Sequence, residues 1–194
     1  RYSSSAASDV YKRQVVDMPY KTYDTKKSAL KNARKVIKET KCDAVKLEGG
    51  KKVIDQIKIL IKNKIPVMGH IGLLPQTVKG KFKSKGKTSK EINQLMNDAL
   101  LLQKNGVFAI VLECVKTPIA KQITKRLRIP TIGIGSSVYC DGQVLVTDDL
   151  LGLNSSNIKF VKKFINLKKH INLGLKKFAS EVRSKKYPTK KHSY

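Results

Sequence analysis

Tryptophan is absent, cysteine occurs three times, and only 14 of the 194 residues are acidic against 41 lysines and arginines. Each scarcity excludes something. Cys42, Cys114 and Cys140 are an odd number, with no C-x-x-C spacing and no histidine cluster beside them. That argues against a disulfide framework or a zinc site and for reduced thiols. Cys114 directly follows Glu113, so on a strand it faces the opposite side, a place suited to buried packing rather than nucleophilic chemistry. No run approaches the roughly 20 apolar residues of a membrane span, and no stretch reads as a signal peptide. The expectation is a soluble, cytoplasmic protein with no membrane partner.

Aromatic residues are also few, at 6% of the chain, and this governs how the net charge of +27 is read. The excess is lysine; arginine stands only at positions 1, 13, 34, 126, 128 and 183. Base readout favours arginine and single-strand binding needs aromatic platforms, so the charge reads as solvated faces rather than a nucleic-acid footprint. A hydrophobic content of 40% over this length is enough for one sizeable core.

The informative stretch is Pro66–Gln76, PVMGHIGLLPQ, where a short apolar run turns into a glycine-punctuated polar loop. Gly69 and Gly72 flank His70 and permit a tight turn or the close approach of a ligand. Four more segments repeat the pattern: QVVDMP from Gln14, AVKLEGG from Ala44, AIVLECV from Ala109 and IPTIGIGSS from Ile129. Between them lie helical spacings over Thr25–Lys41, Lys51–Lys64, Thr88–Leu102 and Thr117–Leu127, with Thr88 and Glu91 spaced as a capping box. A last short strand is expected at Gln143–Thr147, a helix start at Asp148 and Asp149, and one long or two shorter helices over Ile158–Lys186. The end, YPTKKHSY, reads as loop. Strands alternating with helices mean a parallel sheet, and six strands admit either an open doubly wound sheet or part of a (β/α)8 barrel.

Although carboxylates are scarce, Asp17, Glu48 and Glu113 each end an apolar strand. A carboxylate in a low-dielectric mouth is costly unless a cation or a donor meets it. Oxygen ligands without a cysteine or histidine cluster suit Mg²⁺. Lys46 and Glu48 are two apart on one strand and therefore face the same side. Glu113 sits on another strand among apolar neighbours, surroundings in which a carboxylate works as a general base. The plainer alternatives are helix caps or ion pairs for the carboxylates and a loop hydrogen bond for His70. For Gly133–Ser137 the alternatives are an anion cradle and tight packing.

At these residues the chain resembles the ketopantoate hydroxymethyltransferase (3-methyl-2-oxobutanoate hydroxymethyltransferase) family. The blocks are DMPY, KLEGG, GHIGLLPQ, VLECV, IPTIGIGSS and CDGQVLVTDDLLG, in order over residues 14–194, with the terminal YP and HSY also family-like. The resemblance implies a (β/α)8 TIM barrel of the phosphoenolpyruvate/pyruvate superfamily and a cytoplasmic homo-oligomer, a decamer when complete. It implies Mg²⁺ dependence, with 5,10-methylenetetrahydrofolate as cosubstrate. Asp17 would bind metal and substrate, Lys46 and His70 substrate, Glu48 the metal, and Glu113 would be the catalytic proton acceptor.

Two further strands precede DMPY in the family pattern, the second ending in a Gly-Asp-Ser motif that supplies a metal ligand. Here Arg1–Arg13, which reads as a non-native or disordered tail, stands in their place. The expectation is therefore an N-terminally truncated chain, with residues 14–194 forming an incomplete barrel of about six strands, poorly folded and with little activity. Competing readings are a catalytically dead scaffold, a lysine-rich nucleic-acid-binding protein, and another reaction of the superfamily such as carbon–carbon cleavage, for which no catalytic cysteine loop is seen.

Overall fold

The computed structural model describes residues 12–78, 83–155 and 158–194. Most of the tail Arg1–Arg13 and the centre of the basic loop Val78–Lys87 lie outside them. The chain separates into two compact units, residues 1–144 and 145–194.

In the first unit, short aliphatic runs form strands and the amphipathic segments between them form helices. The order is β1 (Val15–Asp17), α1 (Lys26–Thr40), β2 (Ala44–Glu48), a 3-10 turn (Lys51–Val53), α2 (Ile54–Lys62), β3 (Val67–Gly72) and α3 (Ser89–Lys104). There follow β4 (Ala109–Glu113), α4 (Thr117–Arg126), β5 (Thr131–Ile134) and β6 (Gly142–Gln143). All six strands lie in one sheet in the order β1-β2-β3-β4-β5-β6. Each pairs in parallel with the next, for example Val45 with Val67, Met68 with Ala109 and Ile110 with Thr131.

This order decides between the two architectures that the pattern left open. A doubly wound sheet reverses its strand order at a switch point. Here no reversal occurs among the described strands, so the sheet winds in one direction as a half-barrel, consistent with an incomplete (β/α)8 fold.

Alternation along the strands gives the sheet two faces. Val45, Leu47, Val67, Ile71, Ile110 and Leu112 join Ile57, Leu60, Leu102 and Ile123 of the helices in one buried cluster. Each such side chain contributes about 1.5–3 kcal/mol when fully buried. On the opposite, inner face Met68, Ala109 and Val111 form a smaller cluster with Val15, Phe108, Ile132 and Ile134.

Helix ends are fixed locally. Thr25 and Ser28 make a reciprocal capping box on α1, which ends at Lys41 in the left-handed region. At α3, Thr88 Oγ1 accepts from Glu91 N–H, but the Glu91 carboxylate accepts from the N–H groups of Gly86 and Lys87. Those two bonds hold the Glu91 carboxyl below its usual range, the Lys87 bond most. The expected box is thus directed into the preceding loop.

In the second unit, Asp148 and Asp149 occupy the first turn of α5 (Thr147–Leu150), as the sequence suggests. The strand expected up to Thr147 stops at Gln143, where Val144 N–H makes a last bond to Gly133 O. The helix expected from Ile158 begins only at α6 (Leu167–Arg183), whose cap is the Asn166 side chain accepting from Lys169 N–H. Upstream, Phe164 N–H and Leu167 N–H donate to Leu150 O and Leu151 O, so the backbone is committed to the α5 turn rather than to helix. The expected terminal loop contains a 3-10 turn, Lys190–His192. Among the described residues no helix is long and apolar enough to cross a membrane.

Candidate functional site

Register brings the singled-out strand residues together. Asp17 pairs with Lys46, Glu48 with His70, and Gly72 with Glu113, all on the inner face and near the carboxyl ends of β1 to β4. Lys46 Nζ lies 3.1 Å from Asp17 Oδ1 and 3.2 Å from His70 Nδ1. His70 Nε2 is 3.2 Å from Glu113 Oε2, and Nδ1 is 3.8 Å from Glu48 Oε1. Five side chains from four strands therefore form one connected polar cluster. His70, Glu48 and Glu113 are buried, while the Asp17 side chain is about half exposed.

The backbone at the strand ends holds this arrangement. Leu73 N–H donates to Glu113 O at 2.8 Å, Cys114 N–H to Ile134 O at 2.9 Å, and Gly49 N–H to His70 O at 2.8 Å. Sequence reasoning placed Gln76 in a motif but gave it no role. Its N–H donates to Glu48 Oε2 at 3.2 Å and its side-chain amide to Met18 O, so it ties the β3 loop to β1 and β2. A polar residue ending GHIGLLPQ was the available signal.

Burial pushes the Glu48 carboxyl above its ordinary value, against the opposing pull of His70, the Gln76 N–H and Lys46. A carboxylate whose charge is poorly solvated is one that a bound cation stabilises. Burial likewise raises the nearby Tyr23 phenol, against the pull of a hydrogen bond to the Glu48 backbone, while the charges of Glu48, Asp24 and Asp17 add to the rise. The five singled-out residues thus surround a mouth holding two candidate metal carboxylates, an ammonium, and a buried imidazole beside a third carboxylate.

The three cysteines are free and buried. Burial pushes the Cys114 thiol up to about 11, and Glu113 adds to it. Native Cys114 should therefore react with iodoacetamide at pH 8 about 100-fold more slowly than in urea, since the thiolate is the reactive form. Mass spectrometry of the alkylated peptide reads this; equal rates would refute it.

Tight packing rather than an anion cradle describes Gly133–Ser137. Ser136 Oγ donates to Val115 O, while Ser137 accepts from Tyr139 N–H and from the Gln143 side chain. A cleft of about 310 Å³ shares Gly49 and Gly72 with the strand ends, but its walls are Leu74, Lys85, Leu95 and Asp98. It lies beside the polar cluster, not over it.

The family model described as ketopantoate hydroxymethyltransferase matches residues 5–190. The chain is 60% identical over 180 residues to a 3-methyl-2-oxobutanoate hydroxymethyltransferase of Pelagibacter ubique, covering 93% of this chain and 70% of that one. Proteins of the same name from Rhizobium etli and Syntrophomonas wolfei are 45% and 46% identical over 184 residues, covering 93% of this chain and 67% of each of theirs. With the barrel-type strand order and the polar cluster at the strand ends, these matches place the chain in the ketopantoate hydroxymethyltransferase family.

Proposed function

We propose that the cluster transfers a hydroxymethyl group from 5,10-methylenetetrahydrofolate to 3-methyl-2-oxobutanoate. The product is 2-dehydropantoate, in the first step of the pantoate branch of pantothenate synthesis. The observation that carries this reading is the convergence of Asp17, Lys46, Glu48, His70 and Glu113 at one end of the sheet.

Among the described residues no three metal-ligating side chains are gathered closely enough to hold an ion by themselves, but Asp17 and Glu48 offer hard oxygens, and Mg²⁺ commonly takes one or two carboxylates and leaves its other positions to water and substrate. When bound there, the ion would supply Lewis-acid stabilisation of the enolate and so acidify the C3 proton of the keto acid. Glu113 takes that proton. C3 then bonds to the one-carbon unit, both carbon–nitrogen bonds joining that unit to folate break, water supplies the hydroxyl, and the proton from C3 and the second proton of water go to the two folate nitrogens. Lys46 offsets negative charge that develops on the keto acid. The reading includes a cytoplasmic homo-decamer acting on small molecules, with neither nucleic acid nor membrane as partner.

Proton abstraction can be tested without folate. In D₂O, the C3 proton signal of 3-methyl-2-oxobutanoate should decay with the protein and Mg²⁺ and persist when either is withheld, as read by proton NMR. A folded chain that leaves the signal intact in the presence of Mg²⁺, and still does so with the two preceding strands of the family pattern added, would overturn the assignment.

A further inference from the structure

His70 is 1% exposed, the most enclosed polar group of the cluster. Both its ring nitrogens face charged groups. Lys46 Nζ approaches Nδ1 at 3.2 Å, and a lysine ammonium has donors only. Nδ1 is therefore the acceptor and the ring proton sits on Nε2; a second proton on Nδ1 would point at another donor.

Nε2 lies 3.2 Å from Glu113 Oε2, yet it is among the few buried side-chain atoms with no hydrogen-bond partner among the described residues. The carboxylate is within reach but off the N–H line. A buried donor left without a partner is costly. Catalytic hydrogen bonds are often misaligned before substrate arrives and tighten in the complex. The backbone under the ring is fixed, since its strand is paired on both sides and His70 O accepts from Gly49 N–H, and burial of the ring leaves it little room to turn.

We infer that His70 is a positioning residue for Glu113 rather than a substrate ligand. Lys46 fixes the tautomer, and the Nε2 proton holds Glu113 Oε2 so that the other carboxylate oxygen meets C3. This rests on the proton abstraction proposed above and departs from the substrate-binding role that the family resemblance implied.

Two measurements test it. Ring nitrogen correlations in the ¹⁵N-labelled full chain read the tautomer directly, with His70 assigned by replacing the exposed His170 and His192. The expected result is a protonated Nε2 and a bare Nδ1 in the wild type, and mixed tautomers in Lys46→Met. A protonated Nδ1 in the wild type would overturn the inference, whatever the activity.

The second is exchange kinetics. His70→Asn, whose amide is too short to stand in for Nε2, should lose about 100-fold in the saturated exchange rate with the apparent KM unchanged. His70→Gln, whose amide nitrogen reaches the Nε2 position, should recover most of that loss. A raised KM at constant rate would make His70 a substrate ligand and end the proposal. Wild-type exchange that both variants match would sink this inference alone, whereas no wild-type exchange, with or without the two preceding strands of the family pattern added, would sink the function.

Discussion

Glu113→Gln lowers deuterium uptake at C3 of 3-methyl-2-oxobutanoate by about 10²–10⁴-fold, the range that a positioned general base contributes. The substitution keeps the shape of the side chain and an oxygen that can accept from His70, but removes the basic oxygen. The fold should survive it. The contacts that fix this strand end, Leu73 N–H to Glu113 O and Cys114 N–H to Ile134 O, are made by the backbone. Circular dichroism should therefore superimpose on the wild type while the NMR signal of the substrate persists. Exchange at the wild-type rate would show that another group takes the proton.

Gly72→Ala carries the largest expected cost in stability, on the order of 3–5 kcal/mol. Two effects combine. Gly72 has φ +102, where a side chain is strained, and a β-carbon there would lie 2.2 Å from Glu113 O and 2.8 Å from a Val115 methyl. The obstructing oxygen is backbone that already accepts from Leu73 N–H, so relief requires parting β3 from β4 at the mouth of the site. Gly142→Ala is the matched control: its β-carbon would meet only Ile132 Cγ1, at 3.9 Å, and should shift stability by less than about 0.5 kcal/mol. Urea unfolding followed by circular dichroism suits a chain without tryptophan. Equal midpoints for the two variants would refute the steric argument.

Much of this architecture is legible in the sequence because its elements are locally determined. Ala29 and Ala33 on α1, or Leu95, Met96, Ala99 and Leu102 on α3, recur at helical spacing and are buried as that spacing requires. The scarce carboxylates at strand ends marked the site for a related reason: Glu48 and Glu113 are too costly to bury without partners.

What was not legible depends on pairing between distant segments. Single and double winding differ in strand order, which periodicity does not contain. Val161, Phe164 and Ile165 have helical spacing, yet Phe164 and Leu167 bond to carbonyls more than a dozen residues earlier, and no local window records that. Gln76 acquires its partners Glu48 and Met18 only through the loop's return across β2 and β1. Likewise, the role inferred for His70 follows from Lys46 and Glu113, which stand on two other strands.

The two-faced sheet also constrains how this chain can change length. Val45 and Leu47 point into the helix-packed core, while Lys46 and Glu48, which alternate with them, point into the mouth. One residue inserted or deleted within β2 would exchange the two sets, sending an ammonium and a carboxylate among leucines and presenting leucines to the substrate. Substitution can act on either face separately, but a single-residue indel strikes both at once. Viable length variation is therefore confined to the connections between strands and helices, whose residues carry no such parity.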